Sequence, residues 1–229
     1  PSARAILFAQ HLGDLGERFA AWDCARLRPG ATHDYTLEAN WKIAVENYHE
    51  CYHCPMIHPA LCRVSAPESG GRHDGVRGAY TAGWMTLTEP ARTMSLDGRS
   101  HGVFLPGLNA AQRREVHYVS LFPNLLLSLH PDYVMTHRLE PLSPTRTRVE
   151  CQWLFPQEAL AREGFDPAYA VDFWDRTNKE DWAAVESVQR GLASERFIPG
   201  ILANEEESAY HFVYRVASAY LGRLPRQSA

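Results

Sequence analysis

No apolar run in the 229 residues approaches the roughly 20 that a helix needs to span a bilayer. The opening stretch, PSARAILFAQHLGDLGERF, also lacks the long apolar core and small-residue cleavage site of a secretory leader, so the expectation is a cytoplasmic protein with no membrane role. Positive charge is not in excess either. Lys and Arg number 23 against 27 Asp and Glu, for a formal charge of −4 and a pI near 6.3, which leaves no basic field to draw in nucleic acid or anionic lipid. Cysteine is scarce and odd in number. Cys24, Cys51, Cys54, Cys62 and Cys151 are too few for a disulfide scaffold in a chain of this length and read as reduced thiols. Internal repeats, low-complexity tracts and interdomain linkers are missing as well. What is present suits a globular domain with a real core: 45% of residues are hydrophobic and 22% charged.

The pattern of apolar residues predicts three regions. Residues 4 to 20 carry Ile6, Leu7, Leu12, Leu15 and Phe19 at helix-like intervals, broken by Pro29 and Gly30. Residues 32 to 39 have strand character, and Asn40 to Tyr52 reads as a helix that ends near Pro55, with Trp41, Ala44, Val45 and Tyr48 on one side. Residues 64 to 78, rich in Gly, Ser, Arg and His, read as an exposed loop. From Gly83 to Phe155 the texture is short β-rich runs, with PLSPTRT turning the last two into a hairpin and no βαβ alternation that would build a parallel sheet. Helical spacing returns over Tyr169 to Arg190 and Asn204 to Leu221. The expected class is α+β, with helices on one face of an antiparallel sheet.

The densest chemistry lies in NWKIAVENYHECYHCPMIHPAL, residues 40 to 61, which holds Glu46, Asn47, His49, Glu50, His53 and His58. On a continuous helix His53 and His58 would point about 140° apart, too far to share an ion. Pro55 disfavours continuing the helix through Cys54 and lets His58 swing back toward His53, while Glu50, three residues before His53, falls on the same helical face. Two neutral imidazoles suit Fe(II), Zn(II), Cu or Ni, and one added carboxylate with open positions favours non-haem iron that activates O2. The third ligand is not in the cluster. Among distant acids Asp181 in TNKEDWAAVESVQRG is the choice, because it falls in the first turn of a predicted helix, a rigid and directional platform, although Asn178 followed by Asp181 also reads as a helix start, and Asp172, Asp175 and Glu180 compete nearby.

The run NWK-x3-EN-x2-E-x-YH-x4-HP resembles the iron-binding segment of Rieske oxygenase α-subunits, the ring-hydroxylating dioxygenases and their monooxygenase relatives. FPNLLLSLHPDYVMTHRLEP, FWDRTNKEDWAAVESVQRGLAS and EEESAYHFVYR resemble later segments of the same catalytic domain, so nearly the whole chain is covered. The resemblance implies a helix-grip (Bet v 1/START-like) fold, a curved antiparallel sheet around a long C-terminal helix, with residues 1–229 forming one mononuclear iron catalytic domain. It implies His53, His58 and Asp181 as iron ligands, Glu50 as the acid that bridges to a neighbouring subunit's Rieske cluster, and Asn47 as a residue near the iron. It also implies O2 and a small-molecule substrate, electrons from NAD(P)H through a reductase or ferredoxin and a [2Fe-2S] cluster, and a homotrimer. The cluster itself needs a C-x-H and a C-x2-H pair. Cys51-Tyr52-His53 has the first shape but no C-x2-H follows, so the Rieske domain is expected to precede Pro1 in a longer protein.

The variant ECYHC-x3-HP is more similar to the branch that oxidises quaternary ammonium compounds such as glycine betaine, choline or carnitine than to naphthalene-type dioxygenases. Hydroxylation or N-demethylation of such a substrate is the expected activity, with aromatic ring hydroxylation the alternative and an inactive ligand-binding module of the same fold the third reading. Structural zinc on Cys51, Cys54, His53 and His58 lacks a second C-x2-C or H-x3-H partner. His49 reads as a satisfied or surface histidine, His130 and His137 as hydrogen-bonded sheet residues, Trp153 and Phe155 as core, and Glu205 to Glu207 as a solvated helix start.

Overall fold

Alternation of inward apolar and outward polar side chains builds the centre of the chain into a single seven-stranded antiparallel sheet, seen in a computed structural model that describes residues 7–201 and 207–222. Two short helices, α1 (Phe8–Leu12) and α2 (Leu15–Arg18), are followed by β1 (Arg28–Leu37), α3 (Trp41–His49), α4 (Cys54–Ile57) and α5 (Pro59–Val64). Then come β2 (Gly71–Arg72), β3 (Tyr80–Thr86), β4 (Glu115–Leu121), β5 (Leu125–Leu129), β6 (Val134–Ser143) and β7 (Arg146–Phe155). The chain continues with α6 (Gln157–Leu160), the long α7 (Ala168–Leu192) and α8 (Glu207–Leu221). The strand order is β1-β7-β6-β5-β4-β3-β2, with every neighbouring pair antiparallel. This is the expected α+β, helix-grip class; the long helix is α7, and α8 follows it.

Strand β7 shows how the sheet sides are set. Thr147, Val149, Cys151, Trp153 and Phe155 are buried while the residues between them are not, so one register puts this whole set on one side of the sheet and leaves Leu154 to the other. Trp153 and Phe155 are core residues, as the pattern predicted. On that side α7 packs Ala170, Val171, Phe173 and Trp174 against Tyr133, Met135 and Cys151. Burying Phe173 and Trp174 stabilises the helix on the sheet by about 2–3 kcal/mol each. On β4 the parity splits the two faces. Val116 joins that cluster, whereas Val119 and Leu121 face Phe19 and Trp22 of the N-terminal segment.

Four expectations are corrected. The helix over residues 4 to 20 is broken into α1 and α2, because Gly13 turns at φ +58 where an added Cβ would lie 1.4 Å from the Arg77 carbonyl oxygen. Ile6 lies outside the described residues, as do Asn204 and the acidic Glu205 and Glu206. Residues 64 to 78 are not all loop. Part of the run pairs as β2 with β3, and a Cβ at Gly70 would come within 1.9 Å of the Trp84 carbonyl oxygen, so glycine there permits a close backbone approach as well as a turn. The helix from Asn40 ends at His49, with Glu50 extended (φ −128, ψ 150), earlier than Pro55. Lastly, α7 runs unbroken through Asn178 and Asp181, so neither residue caps a helix start.

Candidate metal centre

The break after His49 shapes the site. Asn40 caps α3 by accepting a hydrogen bond from the Lys42 amide at 3.0 Å, and Ile43, Ala44 and Val45 hold the helix on the core. Glu50 then leaves the helix, and its carboxylate folds forward to accept from the Tyr52 amide at 2.7 Å and meet His53 Nδ1 at 2.5 Å. The Glu50/His53 pair anticipated from helical spacing is thus made by an extended residue followed by a turn. Pro55 sits in the first turn of α4, where proline is tolerated, and the chain turns again at His58 (φ −117, ψ 63) before Pro59 begins α5. These two turns bring the imidazole centroids to 5.2 Å at a steep 76°.

Helix α7 supplies the carboxylate. Asp181 Oδ1 lies 2.9 Å from His58 Nε2 and 3.3 Å from His53 Nε2, and it accepts from Asn47 Nδ2 at 2.7 Å. The outer nitrogens are also engaged, His53 Nδ1 by Glu50 and His58 Nδ1 by Glu180 at 2.9 Å. His58 is 1% exposed. Burial alone would raise the Asp181 carboxyl, but the hydrogen bonds from both imidazoles and Asn47 bring its pKa down to about 2. Burial would lower His53, yet Asp181 and Glu50 together raise it to about 9. Such a field favours one positive charge between the two Nε2 atoms and Asp181.

The donor set fits a divalent cation. With each Nδ1 committed to a carboxylate, both Nε2 atoms face Asp181 Oδ1, and once free of their protons they would offer an ion two nitrogens beside one oxygen at the cavity wall. Cys54 Sγ also lies near, 3.9 Å from His53 Nε2, but Asp181 Oδ1 is closer and Cys54 is joined to Cys51 as a disulfide with Cα atoms 4.9 Å apart. That pairing departs from the expected reduced thiols. The four-residue turn from Cys51 to Cys54 brings the sulfurs together, and Cys24, Cys62 and Cys151 remain free.

The three groups border a cavity of about 880 Å3. Tyr48, Tyr118, Trp174 and Trp182 line it with rings, and its charged lining is Glu50, Glu68 and Asp181 against Arg72, with the two histidines between. His137 lines it too and is fixed by Asn178 Oδ1 at 3.1 Å, whereas His130, stacked 4.1 Å from Tyr133, has no hydrogen-bond partner at either nitrogen among the described residues. His49 is half-buried against Phe212 and Thr81, and burial pulls its pKa down to about 4. Of the competing acids, Asp172 is exposed, and Asp175 is held by Tyr35 at 2.9 Å and Lys179 at 2.5 Å. The part played by Glu180, and the ring lining from Tyr118 and Trp182, were not anticipated.

Residues 24–222 match the family described as ring hydroxylating alpha subunit (catalytic domain). The chain belongs to that family. Among its relatives, the glycine betaine monooxygenase oxygenase subunit of Chromohalobacter salexigens is 25% identical over 249 residues, covering 95% of this chain and 55% of that protein. The chain spans about half the length of the curated relatives it matches. In fold it is similar to the quaternary ammonium Rieske monooxygenase CntA, with a TM-score of 0.73 at 21% identity over 95% of this chain and 57% of the other. It is also similar to naphthalene 1,2-dioxygenase from Rhodococcus sp., with a TM-score of 0.69 at 16% identity over 97% of this chain and 63% of that one. No helix among the described residues is long and apolar enough to cross a membrane.

Proposed function

We propose that the chain is the iron-bearing catalytic part of an oxygenase acting on a quaternary ammonium compound, with hydroxylation or N-demethylation as the outcome. The observation that carries this reading is the meeting of His53 Nε2, His58 Nε2 and Asp181 Oδ1, within 3.3 Å of one another's shared oxygen, at the wall of a cavity lined with aromatic rings. His53, His58 and Asp181 would hold Fe(II), which when bound supplies the O2-activating chemistry that no side chain can perform. Asn47 holds Asp181 in place through its amide, and Glu50 keeps the proton of His53 on Nδ1 so that Nε2 is free to ligate.

The lining supports this substrate class. Tyr48, Tyr118, Trp174 and Trp182 offer ring faces, and three carboxylates outnumber the one guanidinium of Arg72, a setting that favours a bulky cation over an aromatic acid. The similarity to glycine betaine and choline monooxygenases supports the same class. The rest of the reading rests on the family: an additional Rieske [2Fe-2S] domain outside these residues, electrons passed from NAD(P)H by a reductase to a neighbouring subunit's cluster and on past Glu50, a homotrimer, and a cytoplasmic location. An inactive binding module is disfavoured, since all three candidate ligands are present and converge.

Two measurements test this. Metal analysis of anaerobically purified protein should find stoichiometric iron that is lost in His53→Ala and Asp181→Ala; stoichiometric zinc indifferent to Asp181→Ala would overturn the iron reading. The full-length protein with its reductase should couple O2 uptake to product with glycine betaine or carnitine and not with benzoate. Product from benzoate alone would replace the substrate class with an aromatic acid.

A further inference from the structure

Glu180 stands in the same relation to His58 as Glu50 does to His53. His58 Nδ1 lies 2.9 Å from Glu180 Oε2, while the other oxygen, Oε1, accepts from Arg176 Nε at 3.1 Å. Neighbouring residues on a helix project about 100° apart, so Glu180 and Asp181 reach opposite edges of one imidazole from a single turn of α7. His58 is 1% exposed, whereas the Glu180 side chain is 23% and that of Arg176 51% exposed. A chain of contacts, Arg176 to Glu180 to His58, therefore runs from the surface to the place where the ion would sit.

We propose that Glu180 is a positioning residue of the metal centre, fixing His58 as the Nδ1–H tautomer and raising the basicity of Nε2, with Arg176 sharing the carboxylate and moderating that effect. The inference rests on the reading of His53, His58 and Asp181 as metal ligands. Its physical core is the division of labour between two carboxylate oxygens. A glutamine at 180 has one acceptor oxygen and one NH2 group, so either His58 or Arg176 must face a donor. Loss of a partner behind a ligating histidine weakens metal binding by about 10–100-fold. If Arg176 is removed as well, the glutamine oxygen is free to serve His58.

The test is an anaerobic Co(II) titration of metal-free protein, followed by visible absorption, on wild type, Glu180→Gln, Arg176→Ala and the double variant, each checked for an unchanged far-ultraviolet circular dichroism spectrum. The expected result is stoichiometric binding by the wild type, about 10–100-fold weaker binding by Glu180→Gln with an altered ligand-field spectrum, and recovery of much of that loss in the double variant. Equal affinity and spectrum in wild type and Glu180→Gln would overturn the role of Glu180 while leaving the metal site standing. Recovery absent from the double variant would overturn the sharing with Arg176. A wild type that takes up no Co(II) would instead remove the metal reading itself.

Discussion

Asn47 on α3 donates its side-chain amide to Asp181 on α7 at 2.7 Å, across 134 positions of sequence. This bond ties the helix before the histidine cluster to the helix that carries the carboxylate, and it uses the same Oδ1 atom that faces both imidazoles. Replacing Asn47 with Ala should leave the fold intact and weaken Co(II) or Fe(II) binding by about tenfold, because Asp181 loses its orienting donor. Asn47→Asp should do worse, since it sets a second carboxylate against the first. Unchanged affinity in both variants would show that Asp181 is held by other means.

The cavity rings carry the substrate prediction. Trp182 lines the cavity, meets Tyr35 edge-on at 5.9 Å and His137 at 6.1 Å, and has no partner for its indole nitrogen among the described residues. In the full-length enzyme Trp182→Leu should raise KM for a quaternary ammonium substrate by about tenfold, the size of one cation–π contact, while Trp182→Phe restores part of it. A kcat effect with KM unmoved would argue that the ring positions the neighbouring Asp181 and does not meet substrate.

The disulfide is open to direct chemistry. Cys51 and Cys54 should resist alkylation in the folded protein until reductant is added, whereas the exposed Cys24 should react at once. The closed loop is short, so Cys51→Ser should cost no more than about 2 kcal/mol in denaturant unfolding. Immediate labelling of Cys51 without reductant would return the pair to free thiols.

Buried neutral histidines set the acid limit of stability. Burial, and then repulsion from His73, lowers the pKa of His117 to about 4, burial lowers His137 to about 4, and burial takes His130 well below its ordinary value. Unfolded histidine takes up its proton near pH 6.5, so the unfolded state binds more protons than the folded one throughout this window. The stability contributed by keeping these three histidines neutral is therefore complete above about pH 6.5 and falls toward pH 4, by up to about 1.4 kcal/mol per pH unit for each of them. Urea midpoints taken downward from neutral pH should show this slope, and His117→Gln should flatten it. A slope indifferent to His117→Gln and His130→Gln would place the acid sensitivity elsewhere.

Asp132 is a buried anchor whose loss should be costly. It is fully buried, and its oxygens accept from Thr93 at 2.6 Å, Ser100 at 2.5 Å and Tyr169 at 2.8 Å. These bonds tie the start of α7 to the segment before β4. Asp132→Ala leaves the buried Thr93 hydroxyl without an acceptor and takes the acceptor from the half-buried Ser100 and Tyr169 hydroxyls, and should lower unfolding free energy by about 3 kcal/mol, while Asp132→Asn, which keeps one oxygen, should lose less. Equal losses in the two variants would assign the effect to packing.

The local parts of this protein were legible because they depend on near neighbours in the chain. Alternation in β7, the long period of α7 and the turn chemistry of PLSPTRT each act over a few residues, and the histidine cluster announces itself by density and by its resemblance to a family segment. The helix end at His49 was misjudged because Glu50 satisfies the amides of Tyr52 and His53 with its own side chain, a contact that leaves no periodic trace. Pattern alone ranks the acids of α7 only weakly. Asp172, Asp175, Glu180 and Asp181 lie within ten positions on one helix, and only its packing on the sheet and on α3 turns Asp172 to solvent, Asp175 to Tyr35 and Lys179, Glu180 to His58 Nδ1 and Asp181 to both Nε2 atoms. Sequence by itself determined the α+β class, the core side of its strands and the two histidines. Tertiary structure decided which carboxylate meets them, because that choice depends on the rotation of α7 about its axis, set by Phe173, Trp174 and Val185 against residues distant in the chain.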